Sequence, residues 1–270
     1  MCFPRRYRDP RDVETAAFLA ATFAFGRVSQ IHRFLERLFA ELSPSPHAAL
    51  CGPRPVPFRR VAGLSHRFIS PKGVHRFLRC VRKALLAHGS LEGLYRRGTG
   101  ESVDLREGLS GFLGWFRRAW GKDLPQERDF LFPDPWGGSA CKRHNLFLRW
   151  MVRGGDGVDL GIWTVLAPGD LVVPLDTHMA RLGRWMGLTR RRGADWKAAE
   201  EITRAFRSVC PEDPLRFDFP LTRIGILGEC TARRRGRCRA CPIAPACAAR
   251  EGMTPPREGE LAVAVPSPLG

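Results

Sequence analysis

SQIHRFLERLFAEL, residues 29–42, sets Ile31, Phe34, Leu35, Leu38, Phe39 and Leu42 at intervals of one, three and four, the spacing of a helix with one face on a core. A half-buried strand would need alternation of period two, and that pattern is nearly absent from the chain. Upstream, Asp9 and Pro10 read as the N-cap and first position of another helix, with Asp12 and Glu14 in its first turn and its end expected near Gly26. Downstream, SPSPHAALCGPRPVP (43–57) is rich in proline and reads as a long loop or linker between helical layers. Ser70 and Pro71 then open a helix with the stripe Val74, Phe77, Leu78, Val81 and Leu85, closing at Gly89. Further helices are expected over 101–120, 139–153, 177–187 and 194–210, with a last one after Pro214. The expected fold class is all-α, and the tail from 251 has the composition of a disordered segment.

The chain has 270 residues, 44% of them apolar, enough for a real core in one large or two modest domains. It carries 44 Lys+Arg against 27 Asp+Glu, a net charge of +17. Five of the basic residues are lysines, so arginine, which forks two donors onto phosphate, dominates. The excess of positive charge points to a polyanionic partner, DNA or RNA. No apolar run is long enough to span a bilayer, and MCFPRRYRDPRD lacks the core of a secretion signal, so no membrane partner and a cytoplasmic location are expected.

Five cysteines (Cys2, Cys51, Cys80, Cys141, Cys210) are scattered and read as ordinary core or surface thiols. Cys230, Cys238, Cys241 and Cys247 have the spacing C-x7-C-x2-C-x5-C, four soft ligands for one centre. A [4Fe-4S] cube and Zn²⁺ both accept such a set, and the loose wrapping around a single C-x2-C favours the cube. Arg233, Arg234, Arg235, Arg237 and Arg239 lie within this loop, so a structural cluster there would present a rigid basic surface to a phosphate backbone.

In LVVPLDTHMARLGRW (171–185), Asp176 stands just before a helix, where its carboxylate can cap free N–H groups. By itself this is an ordinary helix cap. LDTHMARL, however, resembles the VDTH-type segment of the helix-hairpin-helix DNA glycosylases, in which the catalytic aspartate holds this place. The cysteine loop is similar to the one that binds a [4Fe-4S] cluster in the endonuclease III branch of that superfamily, which has one residue fewer in its first gap. AFLAATFAFGRVSQI (17–31), KRHNLFLRWMVR (142–153), VDLGIW (158–163) and VVPLDTHMARLGRWMGL (172–188) together resemble an uncharacterised bacterial family similar to the archaeal 8-oxoguanine DNA glycosylases. That resemblance covers about residues 7 to 225.

The resemblance implies a two-lobed helical region over 1–225 with the active site in the cleft, followed by a cluster loop over 226–250 and a tail over 251–270. It implies a monomer acting on double-stranded DNA that contains a damaged base, such as 8-oxoguanine. The lysine usual about eighteen residues before the aspartate is missing, since Gly157, Val158 and Asp159 stand there. Lys142, 34 residues before Asp176, matches the archaeal position and is the candidate nucleophile. With Ser139 expected as N-cap, Lys142 falls in the first turn, where the helix dipole disfavours an ammonium ion and frees the amine lone pair. Lys142 would form a Schiff base with the sugar and Asp176 would stabilise the cationic sugar, giving glycosylase and AP lyase activity.

Gln30 and Asp218 match places where the archaeal enzymes contact the base. Phe147, Trp150, Trp136 and Trp163 could stack on an extruded base, although aromatics at helical spacing more often build core. His178 would bind a phosphate or orient the helix start, and Gly169, in APGDLVVP (167–174), is the one glycine left of a hairpin that normally reads like L-P-G-V-G. Two other readings stand beside this one: a monofunctional glycosylase that uses Asp176 and a water, and a non-catalytic, metal-stabilised nucleic-acid-binding protein.

Overall fold

Helix α1 (Pro10–Thr22) begins where the sequence predicts, with the Asp9 side chain accepting from the Arg11 N–H at 2.9 Å and Pro10 at the first helical position. From Asp12 to Phe23 every residue is buried, so the rest of the protein is wrapped around α1 instead of lying along one face of it. The computed structural model describes residues 2–99, 104–226, 241 and 243–247. Among them there is no strand, only two isolated bridges, and the fold is all-helical.

Helix α2 (Val28–Glu41) buries Phe34, Leu35, Leu38 and Phe39, the face its spacing announces. Inside the expected linker 43–57 lies α3 (Pro46–Cys51). Ser45 caps it, accepting from Ala48 N–H, while Asp12 of α1 accepts from the Ser45 hydroxyl at 2.6 Å and from His47 N–H at 2.9 Å. That tertiary tie gives a six-residue helix the support that its local sequence does not supply. A single turn, α4 (Phe58–Val61), leads to α5 (Pro71–His88), capped by Ser70 and closed by Gly89 at φ +77°.

The helix expected over 101–120 is one of a pair, α6 (Leu91–Thr99) and α7 (Leu105–Trp120). Glu14 of α1 caps α6 from a distance, its carboxylate accepting from Leu91 N–H at 2.9 Å, Glu92 N–H at 3.0 Å and Trp163 Nε1–H at 2.8 Å. No local pattern announces such a cap. The two helices meet through Gly98 and Gly111, where a Cβ on Gly111 would stand 2.6 Å from the Gly98 carbonyl oxygen. Then come α8 (Pro125–Leu131), α9 (Lys142–Val152), α10 (Thr177–Trp185), α11 (Trp196–Arg207) and α12 (Asp218–Ile226).

Several boundaries differ from the sequence expectation, α7 starting at Leu105 and α11 running only from Trp196 to Arg207. α1 stops at Thr22 instead of near Gly26, α9 starts three residues late, and the last helix opens as a 3-10 turn, Pro214–Phe217, before α12. Helix α1 packs on α9, and α10 on α12; the starts of α9 and α10 meet through Lys142 and Asp176. Most of the buried apolar residues form one contiguous core from Phe3 to Leu221. No helix among the described residues is long and apolar enough to cross a membrane. The tail 251–270 and most of the loop 226–250 lie outside the described residues.

Candidate active site at two helix starts

Cys141, at φ +46° and ψ +35°, precedes α9 in the left-handed region, and a right-handed helix cannot run back through it. Ser139 is therefore not the N-cap. Its hydroxyl accepts from Cys141 N–H at 3.2 Å, and the segment is pinned to α11 by the Ser139–Asp195 bridge and by Trp196 N–H donating to Gly138 O. Lys142 becomes the first helical residue, still within the first turn.

Asp176 is the N-cap of α10, with Oδ1 accepting from Met179 N–H at 2.7 Å. Its other oxygen, Oδ2, lies 3.7 Å from Lys142 Nζ. The lysine side chain is 45% exposed and the aspartate 17%. One carboxylate oxygen is thus held by the backbone and the other faces the amine across an ion-pair distance. Asp176 is thus the N-cap of α10 and Lys142 the first residue of α9, so the two groups meet where two helices begin.

Behind the pair stands a buried ionic network. Arg149, on α9, pairs with Asp159 (3.1 Å) and with Asp218, while Arg153 pairs with Asp159, with Asp156 (2.9 Å) and, through two nitrogens, with Asp213 (2.7 and 2.8 Å). The network joins α9 to the loop after it and to the start of α12. Asp159 has a fully buried side chain paired with two arginines. The Asp218 carboxyl is raised above the ordinary aspartate range by burial, opposed by Arg149 and raised further by the charge of Asp176, so these carboxylates feel each other. Both Asp218 oxygens are engaged, one by Arg149 and one by the Thr222 hydroxyl at 3.1 Å.

Arg143, which sequence reasoning passed over, donates to the Thr22 carbonyl at 2.7 Å and to the Phe130 carbonyl, and its guanidinium lies over the Phe130 and Phe25 rings at 4.2 and 5.2 Å. Burial pushes it down to about 10. It clamps the start of α9 to the end of α1.

The aromatic candidates divide. Phe147 is buried between Phe18 and Trp163, each ring 5.1 Å away, and Trp163 is held by Glu14, so both build the core. Trp150 is buried too, while Trp136 is 56% exposed with the Arg106 guanidinium 4.0 Å from its ring. Gln30 stands exposed in the first turn of α2. His178, in the first turn of α10, is partly buried, with Nδ1 unpartnered among the described residues.

The segment 167–174 is a 3-10 turn, Pro168–Asp170, followed by extended chain. Asp170 accepts from Ala167 N–H at 2.7 Å, and Arg207 holds the Gly169 carbonyl at 3.0 Å. A Cβ on Gly169 would stand 2.7 Å from the Pro211 carbonyl oxygen, so a glycine is needed for close packing. Gly169, Asp170 and Arg207 line a cavity of about 570 Å³ with Arg106, Trp196 and Glu200, and neither Lys142 nor Asp176 is among its lining residues.

Of the four candidate ligands, Cys230 and Cys238 lie outside the described residues, as do Arg233, Arg234, Arg235, Arg237 and Arg239. Cys241 and Cys247 are partly exposed free thiols on either side of the 3-10 turn Ala244–Ala246. The Cys241 carbonyl accepts from Ala244 N–H at 3.0 Å, and Cys247 Sγ lies 3.8 Å from the Trp185 carbonyl oxygen at the end of α10. Two accessible thiols flanking one turn are a donor type that a thiophilic metal takes. No group of three or more metal-binding side chains forms among the described residues.

Residues 1–227 match the family described as "Protein of unknown function (DUF2400)". The chain belongs to that family. No curated protein matches this DUF2400 member, and no solved structure does.

Proposed function

We propose that this DUF2400 protein is a base-excision DNA glycosylase of the helix-hairpin-helix type with AP lyase activity, acting on a damaged base such as 8-oxoguanine in duplex DNA. The observation that carries the reading is the approach of Lys142 Nζ to within 3.7 Å of Asp176 Oδ2 at the meeting of two helix starts. An amine and a carboxylate so paired suit covalent catalysis at an electrophilic carbon. The net charge of +17 supports a polyanionic substrate.

In this mechanism the damaged nucleotide leaves the stack and its C1′ is presented to Lys142. The amine forms a bond to C1′ as the glycosidic bond breaks, and the departing base takes up a proton from water. Asp176 Oδ2 stabilises the positive charge that develops on the sugar, then accepts the proton released by the attacking nitrogen. Opening of the sugar ring yields an imine. Loss of a C2′ proton from that imine expels the 3′ phosphate and cuts the strand. Cys230, Cys238, Cys241 and Cys247 would hold a [4Fe-4S] cluster, with Zn²⁺ as the alternative, whose contribution is to keep the arginine-rich loop rigid against the phosphate backbone.

The test is borohydride trapping on a panel of duplexes that each carry one modified base. A covalent protein–DNA adduct formed by the native chain and lost in Lys142→Ala supports the imine route. Base release without an adduct assigns the chemistry to Asp176 and a water. If no lesion is released while duplex binding survives Asp176→Asn, the protein is a binding module and the proposal fails.

A further inference from the structure

The cavity of about 570 Å³ lies between the start of α7, the chain around 169–172 and one face of α11, and it opens to solvent. It shares no lining residue with the Lys142–Asp176 pair. Helix α11 supplies Glu200, Thr203, Arg204 and Arg207, spaced by one, three and four residues and so on one side of the helix. Glu200 and Arg204 have the spacing of a helical ion pair, but Glu200 Oε1 accepts from Trp196 Nε1–H at 2.5 Å instead. Arg204 is left exposed and without a partner among the described residues. Arg207, one turn on, is anchored. Its Nε donates to the Gly169 carbonyl at 3.0 Å and its Nη2 to the Leu171 carbonyl at 3.3 Å, which fixes the guanidinium and leaves Nη1 over.

Neighbouring guanidiniums, one anchored and one unpaired, make a seat for a phosphate group, which accepts from several N–H donors at once. The rest of the lining argues against a bare ion. Three carboxylates, Asp104, Asp170 and Glu200, stand among three arginines, so the cavity has no net pull on an anion alone. Asp170 Oδ2 accepts from Ala167 N–H and Glu200 Oε1 from Trp196, and the second oxygen of each can accept from a ligand. Leu105, Val172 and Trp196 add an apolar wall. The volume lies in the range of small-molecule sites, far more than one phosphate fills. A phosphate seat, a wall for a flat ring, and acceptors for ring N–H and amino donors together describe a nucleotide. The same carboxylates would repel the continuous phosphates of a strand, so the nucleotide that fits is a free one.

We propose that this cavity binds a free nucleoside monophosphate, with the phosphate on Arg204 and Arg207, the base against Trp196, and the N–H donors of the base on Asp170 and Glu200. The inference goes beyond the glycosylase reading and does not depend on it.

Isothermal titration calorimetry on the full chain tests it, with dGMP, dAMP, dCMP and TMP as probes and deoxyguanosine, deoxyribose phosphate and inorganic phosphate as partial ones. A monophosphate is expected to bind at a single site about tenfold or more tighter than each partial probe, since charge-assisted hydrogen bonds lost from either end cost about that much. Arg204→Gln weakens this binding about tenfold, and Arg204→Lys restores part of it. Arg33→Gln, on an exposed arginine of α2 that also has no partner among the described residues, leaves it unchanged. All three variants melt with the native chain, because both positions are exposed. Equal weakening by Arg204→Gln and Arg33→Gln overturns the inference, since it assigns the binding to diffuse charge. So do undiminished binding in Arg204→Gln, monophosphates held no tighter than inorganic phosphate, and a native chain that binds none of the probes. Displacement of the bound monophosphate by a saturating intact duplex also overturns it, by placing the cavity on the path of DNA.

Discussion

Asp176 serves two partners with two oxygens, the Met179 N–H through Oδ1 and the Lys142 amine through Oδ2, and the two roles separate by substitution. Asn caps a helix about as well as Asp, so Asp176→Asn should melt within a few degrees of the native chain, whereas Asp176→Ala loses about 1 kcal/mol. Both remove the carboxylate charge, and single-turnover base release should drop about 100-fold or more in each. His144, in the first turn of α9, is buried, and burial, reinforced by the charge of Arg143, holds it well below the ordinary imidazole value. The unfolded chain takes up this proton at about pH 6.5 and the folded chain does not, so the stability contributed by neutral His144 is lost as the pH falls below that value. The loss reaches about 1.4 kcal/mol per pH unit. His144→Phe removes this part of the slope, and denaturant titrations at about pH 7.5 and about pH 5.5 measure it.

Helix starts were legible where the signal is local. Asp9 with Pro10 and Ser70 with Pro71 cap and open α1 and α5 as their sequences say. They were illegible where a left-handed residue makes the entry, Leu124 before α8 and Cys141 before α9, since neither residue type announces that conformation. The ionic network of α9 was equally hidden. Arg149 and Arg153, four residues apart, look like a solvated pair until the chain after α9 folds Asp156, Asp159 and Asp213 onto them. Arg153→Met leaves buried Asp159 with one arginine and Asp213 with none from α9, and the expected cost is about 3 to 5 kcal/mol. Thermal denaturation checks it, and the companion Arg11→Met, on an exposed pair, should shift the melt little.

For the whole molecule, a net charge of +17 predicts that binding to undamaged duplex weakens steeply with salt, the logarithm of affinity falling by about 0.9 per phosphate contact for each tenfold rise in salt. Titrations across a salt series give the slope, and a flat line would remove the case for a nucleic-acid partner. If Cys241 is a cluster ligand, purified protein carries iron with acid-labile sulfide and absorbs broadly in the visible, and Cys241→Ser loses both. Zinc without iron would assign the alternative metal. By itself the sequence determined the helical class, the buried face of α2 and the basic balance, because periodicity and composition are properties of neighbours in the chain. It also singled out Lys142 and Asp176, through their company and through resemblance. Only the tertiary structure decided that the amine and the carboxylate, 34 residues apart, come within 3.7 Å, and that Phe147 closes a core. Those outcomes depend on how a left-handed Cys141 and the path from 153 to 176 route the backbone, and no local pattern carries that information.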